Sequence, residues 1–167
     1  MKRGVFASIC FCVLSVASSS SGRDLTCKTR PSFSSDGSLG EIVLRELRQS
    51  RSTVRLALYG FNNTTIAEEL IRLAGRGISV RVKIDAEKSA EKRERQIIEM
   101  LRPAGIEVRA VAPDGRNHNK FAILDGATVI TGSYNWTLKA ERNWENLLIL
   151  DCPELAKLYL QEWEKIR

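Results

Sequence analysis

From Thr53 to Val111 the hydrophobic pattern switches repeatedly between a strand period and a helix period, which restricts the chain to folds that layer helices on a sheet. "TVRLALYGF" (53–61) is a β-branched and aromatic run of the kind that fills a buried strand. "NNTTIAEELIRLAGRG" (62–77) follows with Ile66, Leu70 and Leu73 on one helical face. Thr65 and Glu68 form a candidate capping box there, and Gly75 or Gly77 a stop. "ISVRVKID" predicts a second strand. "EKSAEKRERQIIEMLRPAG" predicts a charged helix with Ile97, Ile98 and Leu101 inward, ended by Pro103, and "IEVRAV" a third strand. The fold class this implies is α/β: a layered domain with a mostly parallel mixed sheet flanked by helices.

The flanks fit the same frame. A Ser/Gly-rich joint at residues 32–40 precedes the helical "EIVLRELRQS". Beyond the loop "PDGRN", "KFAILD" and "ATVITG" read as two strands joined by a tight turn at Asp125-Gly126. "WENLLIL" reads as a further strand and "PELAKLYLQEWEKIR" as a terminal helix with Pro153 in its first turn. A chain of 167 residues, 43% hydrophobic, has material for one core.

The first 22 residues, "MKRGVFASICFCVLSVASSSSG", have a basic start, an apolar run and small polar residues, the pattern of a secretory signal peptide cleaved near Ala17 to Gly22. A membrane anchor is the competing reading, but an apolar run of about 13 residues falls short of the ~20 a spanning helix needs. The small residues that precede a lipoprotein cysteine are missing before Cys10. The expectation is a single mature domain, residues 23–167, that is periplasmic or secreted. Its formal charge of +6 falls to about +4 once Lys2 and Arg3 leave, a mild bias toward polyanionic partners. Cys10 and Cys12 leave as well, so Cys27 and Cys152 remain, either bridged or as two buried thiols. A bridge over so long a loop is worth ~4–5 kcal/mol by chain entropy. Two cysteines and one histidine cannot build a Cys/His zinc site.

That single histidine, His118, opens "HNKFAILDGATVITGSYNW". In a strand His118 and Lys120 project to the same side, and an imidazole beside an ammonium suits an anion. Gly132 permits close backbone approach, while Ser133 and Asn135 can donate to phosphate-like oxygens. Glu145 can accept from the second imidazole nitrogen and fix its tautomer. Taken alone, His118 and Lys120 read better as an exposed loop histidine beside an ordinary surface lysine.

The full spacing is more specific. His118, Lys120, Asp125 and then Gly132-Ser133 resemble the HKD signature of the phospholipase D superfamily. Asn135 and "NWEN" resemble its continuation in the small, single-motif bacterial endonuclease branch. "VRLALYGFNNTTIAEELIRLAGRGISVRVKID" resembles that branch's strand-helix-strand opening, so the likeness spans nearly all of the mature chain. The resemblance implies metal-independent phosphodiester hydrolysis without a cofactor, His118 forming a phosphohistidine. It implies that Lys120 and Asn135, with Ser133, hold the non-bridging oxygens and that Glu145 orients His118. Asp125 is a motif member whose turn position also suits a structural part. Family members protonate the leaving oxygen with a second histidine, and this chain has none, so the resemblance implies a homodimer with a composite active site at the two-fold interface.

Two substrates suit the same residues: nucleic acid, cleaved without base specificity, or a phospholipid headgroup such as that of phosphatidylcholine. Phe61, Tyr134, Trp136 and Trp144 can stack on bases or can pack the core. A lipase calls for an exposed apolar surface near the site, and no interfacial helix is legible. Neither the membrane anchor nor the cysteine/histidine insert of the animal mitochondrial relatives is read here. An inert binding module on the same fold would not need every motif position intact, and a metal-dependent nuclease would need a carboxylate cluster that the sequence does not offer.

Overall fold

The computed structural model describes residues 24–167, and the expected signal peptide, residues 1–22, lies outside the described residues. Seven strands form one sheet: β1 (Lys28–Phe33), β2 (Thr53–Leu58), β3 (Ser79–Asp85), β4 (Glu107–Val111), β5 (Lys120–Leu124), β6 (Thr128–Gly132) and β7 (Asn146–Asp151). Among the described residues five α-helices accompany them: α1 (Leu39–Arg48), α2 (Thr64–Gly75), α3 (Ala86–Ser89), α4 (Lys92–Leu101) and α5 (Pro153–Lys165). The spatial strand order is β1-β7-β6-β5-β2-β3-β4.

The sheet is mixed and flanked by helices, but its parallel part is smaller than the alternation implies. Only β2-β3 and β3-β4 pair parallel, while β2-β5, β5-β6, β6-β7 and β1-β7 pair antiparallel. The reason is connectivity. Helices α2 to α4 carry the chain back between β2, β3 and β4, whereas a loop without a helix joins β4 to β5 and lets β5 run against β2. Strand β1 is not among the elements the sequence predicts, and its last two residues fall in the Ser/Gly-rich joint at residues 32–40. It holds Pro31, which cannot donate to a ladder and is tolerated because β1 is the sheet edge.

Strand alternation supplies two cores. Val54, Leu56 and Leu58 of β2, Val80, Val82 and Ile84 of β3, and Ala122 and Leu124 of β5 face the layer of α1, α2 and α4. Ala57, Phe121, Ile123 and Val129 face the opposite way and pack with Ala156 and Trp163 of α5. Lys83 shares that second face. Its Nζ donates to the carbonyls of Trp163 at 2.6 Å and Ile166 at 2.9 Å, and lies 3.9 Å from the Trp163 ring centre.

Helix ends differ from expectation in two places. Asn63, not a Thr65–Glu68 box, caps α2, its side chain accepting from the Ile66 amide. The single charged helix is instead two. Asp85 caps the short α3 through the Lys88 amide, the Ser89 hydroxyl donates to the Ala86 carbonyl, and extended Glu91 restarts the chain as α4. Sulfur atoms of Cys27 and Cys152 are bonded across a sequence separation of 125, tying the start of β1 to the start of α5.

Candidate active site

The carboxyl ends of β2 and β3 meet the beginning of β5 at one end of the central strands, where open α/β sheets place ligand clefts. A buried carboxylate builds this corner. Asp85, 3% exposed at the end of β3, accepts from the Asn117 amide at 3.0 Å. The side chain of Asn117 donates to the Leu58 carbonyl at 3.3 Å and accepts from Asn119 at 2.9 Å. The Tyr59 amide donates to the Asn119 carbonyl at 2.7 Å. His118 is thus exposed between two anchored asparagines.

Its ring packs against Tyr59 with centroids 4.4 Å apart, and the Tyr59 hydroxyl accepts from Arg116 at 2.9 Å. Lys120 Nζ sits 3.1 Å from His118 Nδ1 and donates to the His118 carbonyl at 2.8 Å. An ammonium only donates, so Nδ1 accepts and the neutral imidazole carries its proton on Nε2, a tautomer assigned from this bond. Burial, then the Lys120 and Arg116 cations, hold the imidazole below the usual histidine range, with Asp85 pulling the other way. Burial likewise lowers Lys120, while Glu145 opposes the shift. The corner therefore presents a neutral imidazole beside a fixed cation near neutral pH, an arrangement able to attack an anionic electrophile.

The neighbouring end of β6 supplies the rest. A Cβ on Gly132 would collide with the Asn146 carbonyl, so the close approach this glycine permits is that of β7. Ser133 Oγ donates to Glu145 and accepts from the Asn146 amide at 3.0 Å. Asn143 donates to the other Glu145 oxygen at 3.2 Å. Among the described residues no hydrogen bond joins Glu145 to His118. Within one protomer the expected orienting contact is absent, because Ser133 and Asn143 occupy the carboxylate. Asn135 Oδ1 is buried without a partner among the described residues.

Asp125 stands apart. It occupies the hairpin turn at the far end of β5, roughly 20 Å of extended chain from His118. Its carboxylate accepts from the amides of Arg51 at 2.9 Å, Ser52 at 2.8 Å and Thr53 at 2.9 Å, and from the Ser52 hydroxyl. Burial alone would raise its pKa, but the bonds from Thr53, Ser52 and Arg51 prevail and lower it. Asp125 and Gly126 both have positive φ, as a primed hairpin turn requires. Geometry gives Asp125 a structural place, and among the described residues no hydrogen bond joins it to His118 or Lys120.

Three of the four candidate stacking aromatics are core. Phe61, Tyr134 and Trp136 are at most 1% exposed, Phe61 meeting Trp136 edge-to-face and Tyr134 donating to Glu141. Only Trp144, 90% exposed, is free. Tyr59, Arg116, Asp85 and Asn117 were not singled out from the sequence. Tyr59 and Asp85 stand at carboxyl ends of strands, which was the available signal.

A groove of about 580 Å³ opens beside Tyr59 and Asn135. Lys92 and Arg93 of α4 and Lys139 line it, and none of the three is in an ion pair among the described residues. Among the described residues no group of three or more His, Cys, Asp or Glu side chains is placed to hold a metal ion.

The family model described as "Cardiolipin synthase, PLD-like domain" matches residues 43–167. The chain belongs to the phospholipase D superfamily. Among its superfamily relatives, the mitochondrial cardiolipin hydrolase of Mus musculus is 40% identical over 133 residues, 79% of this chain. The chain spans 59% of that relative's length. The phospholipase D of Rickettsia conorii is 32% identical over 137 residues, 81% of this chain and 68% of that protein. The crystal structure of a phospholipase D family member, Nuc, from Salmonella typhimurium superposes with a TM-score of 0.80 at 26% identity, covering 84% of this chain and 94% of that one.

Proposed function

We propose that this superfamily member is a phosphodiesterase that cleaves nucleic acid through a phosphohistidine on His118, with no metal in the reaction. The observation that carries the nucleic-acid reading is the groove beside Asn135. Lys92, Arg93 and Lys139 there have no carboxylate partner among the described residues and suit the successive phosphates of a polynucleotide.

In this reading Lys120 turns from the imidazole to a non-bridging oxygen as substrate enters, and the Asn135 amide holds another. The neutral imidazole attacks phosphorus, the bond to the leaving oxygen breaks, and that oxygen takes a proton from a second, protonated imidazole. Water then attacks the phosphohistidine. It gives its proton to the second imidazole as the phosphorus–nitrogen bond breaks and a phosphomonoester departs. The chain has one histidine, so the second imidazole is His118 of another copy in a homodimer whose site is shared. Glu145 acts by holding Ser133 and by supporting the charge of Lys120.

A phospholipid substrate is the second reading. Trp144 at 90% and Phe33 at 52% exposure share one side of the Glu145 segment and suit a lipid headgroup surface. The names of the curated relatives lean the same way. The Cys27–Cys152 bridge supports an oxidising compartment, periplasmic or extracellular.

The test is plasmid cleavage in excess EDTA beside hydrolysis of phospholipid vesicles, each with His118→Ala as control. Plasmid nicking by the unsubstituted protein alone supports the nuclease reading. Headgroup release with an intact plasmid moves the assignment to phospholipid, and equal cleavage by His118→Ala removes His118 as nucleophile.

A further inference from the structure

At the opposite ends of the strands from His118, a second cavity of about 660 Å³ lies beneath the β5–β6 turn, against β1 and the end of α1. Lys28, Arg51 and Arg76 line it, and none is in an ion pair among the described residues. The carboxylates along the same wall are already engaged. Asp125 is filled by amides 51–53, and Glu46 and Asp151 are held by Arg30.

Two further observations point to a ligand. Ser50 is 1% exposed and its hydroxyl has no hydrogen-bond partner among the described residues, and Arg30 Nε on the same wall is buried and equally unpartnered. Native structures rarely leave buried donors empty, and each costs free energy until something accepts from it. Among the described residues one other buried side-chain polar atom lacks a partner, Asn135 Oδ1 beside the candidate active site. The unsatisfied atoms thus fall at two places, and both are cavities lined with unpaired cations.

We propose that this cavity is an anion site for a doubly charged phosphate, separate from the reaction centre. Lys28, Arg51 and Arg76 balance its charge, and a shift of the wall lets Ser50 Oγ and Arg30 Nε, both closed to solvent here, donate to its oxygens. Guanidinium donors fit phosphate geometry, and three unpaired cations suit a dianion better than the single charge of a diester. Inorganic phosphate and a phosphomonoester at a strand end share this chemistry.

The experiment is calorimetric titration of inorganic phosphate into full-length Lys120→Ala, in which the reaction centre has lost its own phosphate-binding cation. One bound phosphate is expected, weakened by about tenfold or more in the background of Arg51→Glu/Arg76→Glu. That double variant, made without Lys120→Ala, is expected to hydrolyse a small chromogenic diester unchanged. Ser50→Ala is expected to weaken phosphate while leaving the phosphate-free unfolding midpoint unchanged or higher, since it removes an unsatisfied hydroxyl. No heat with Lys120→Ala, or binding indifferent to Arg51→Glu/Arg76→Glu, overturns the site. A fall in the phosphate-free midpoint of Ser50→Ala returns Ser50 to the fold alone and overturns its place in the site. A 5′-mononucleotide that binds as well as phosphate identifies a strand end as the source, and binding by phosphate alone identifies the free ion. Equal binding by the unphosphorylated nucleoside refutes the assignment.

Discussion

The Tyr59 ring packs against the His118 imidazole at 4.4 Å between centroids, and its hydroxyl accepts from Arg116. The ring sets where the imidazole points, while the hydroxyl only tethers Arg116. Tyr59→Ala is expected to lower kcat on a chromogenic diester by about 10- to 100-fold with KM little changed, the scale of a misplaced reacting group. Tyr59→Phe is expected to keep most of the rate. Steady-state kinetics of the two variants checks this, and equal losses would assign the effect to the hydroxyl.

The pH profile tests the cations around His118. Burial, Lys120 and Arg116 all lower the imidazole pKa, so the ring stays neutral to lower pH than an isolated histidine. Arg116→Ala removes one of these influences and is expected to raise the pKa. The acidic limb of kcat/KM against pH should therefore move to higher pH. A limb that stays in place, or moves down, contradicts the charge arrangement.

Asp125 should behave as a stability residue. Asp125→Asn keeps a residue tolerant of positive φ but loses a carboxylate that takes three amides and a hydroxyl. A loss of about 1–3 kcal/mol in unfolding free energy is expected, with activity per folded molecule unchanged. The folded-state pKa lies below the ordinary value, so this contribution is present above that ordinary value and is lost as pH falls through the folded one. Chemical denaturation of both proteins at neutral and acid pH reads it.

A shared site has a mixing signature. When protomers of unsubstituted protein and His118→Ala are re-paired at equal amounts, only dimers with two histidines are complete. Activity should then fall to about a quarter of the undiluted value rather than half. A linear fall, or a monomer by light scattering with full activity, sinks the composite site.

The sequence disclosed the layers better than the pairing. Periods of two and 3.6 located β2 to β7 and the long helices because each buries one face, as Leu56, Leu58 and Leu70 do. Strand direction leaves no such periodic trace, and β1 with Pro31 has too little apolar alternation to be visible. His118 and Lys120 were legible through fixed spacing and do touch. Asp125 shares that spacing, yet its partners are backbone amides that no side-chain pattern records. Tyr59 and Asp85 act through contacts some 60 and 30 residues away in sequence, so only the fold brings them to His118. Trp136 shows the converse, an aromatic beside the motif that belongs wholly to the core.

The peg formed by Asp125 makes β5 a ruler. Three amides grip the strand at one end, and Lys120 and His118 protrude at the other. A strand neither stretches nor slides by less than a residue, and a slip of one residue turns every side chain to the opposite face. Inserting or deleting one residue between Phe121 and Leu124 would leave the turn locked and deliver the imidazole to the wrong side of the sheet. The spacing from histidine to aspartate is therefore a length specification, whatever substrate the corner accepts.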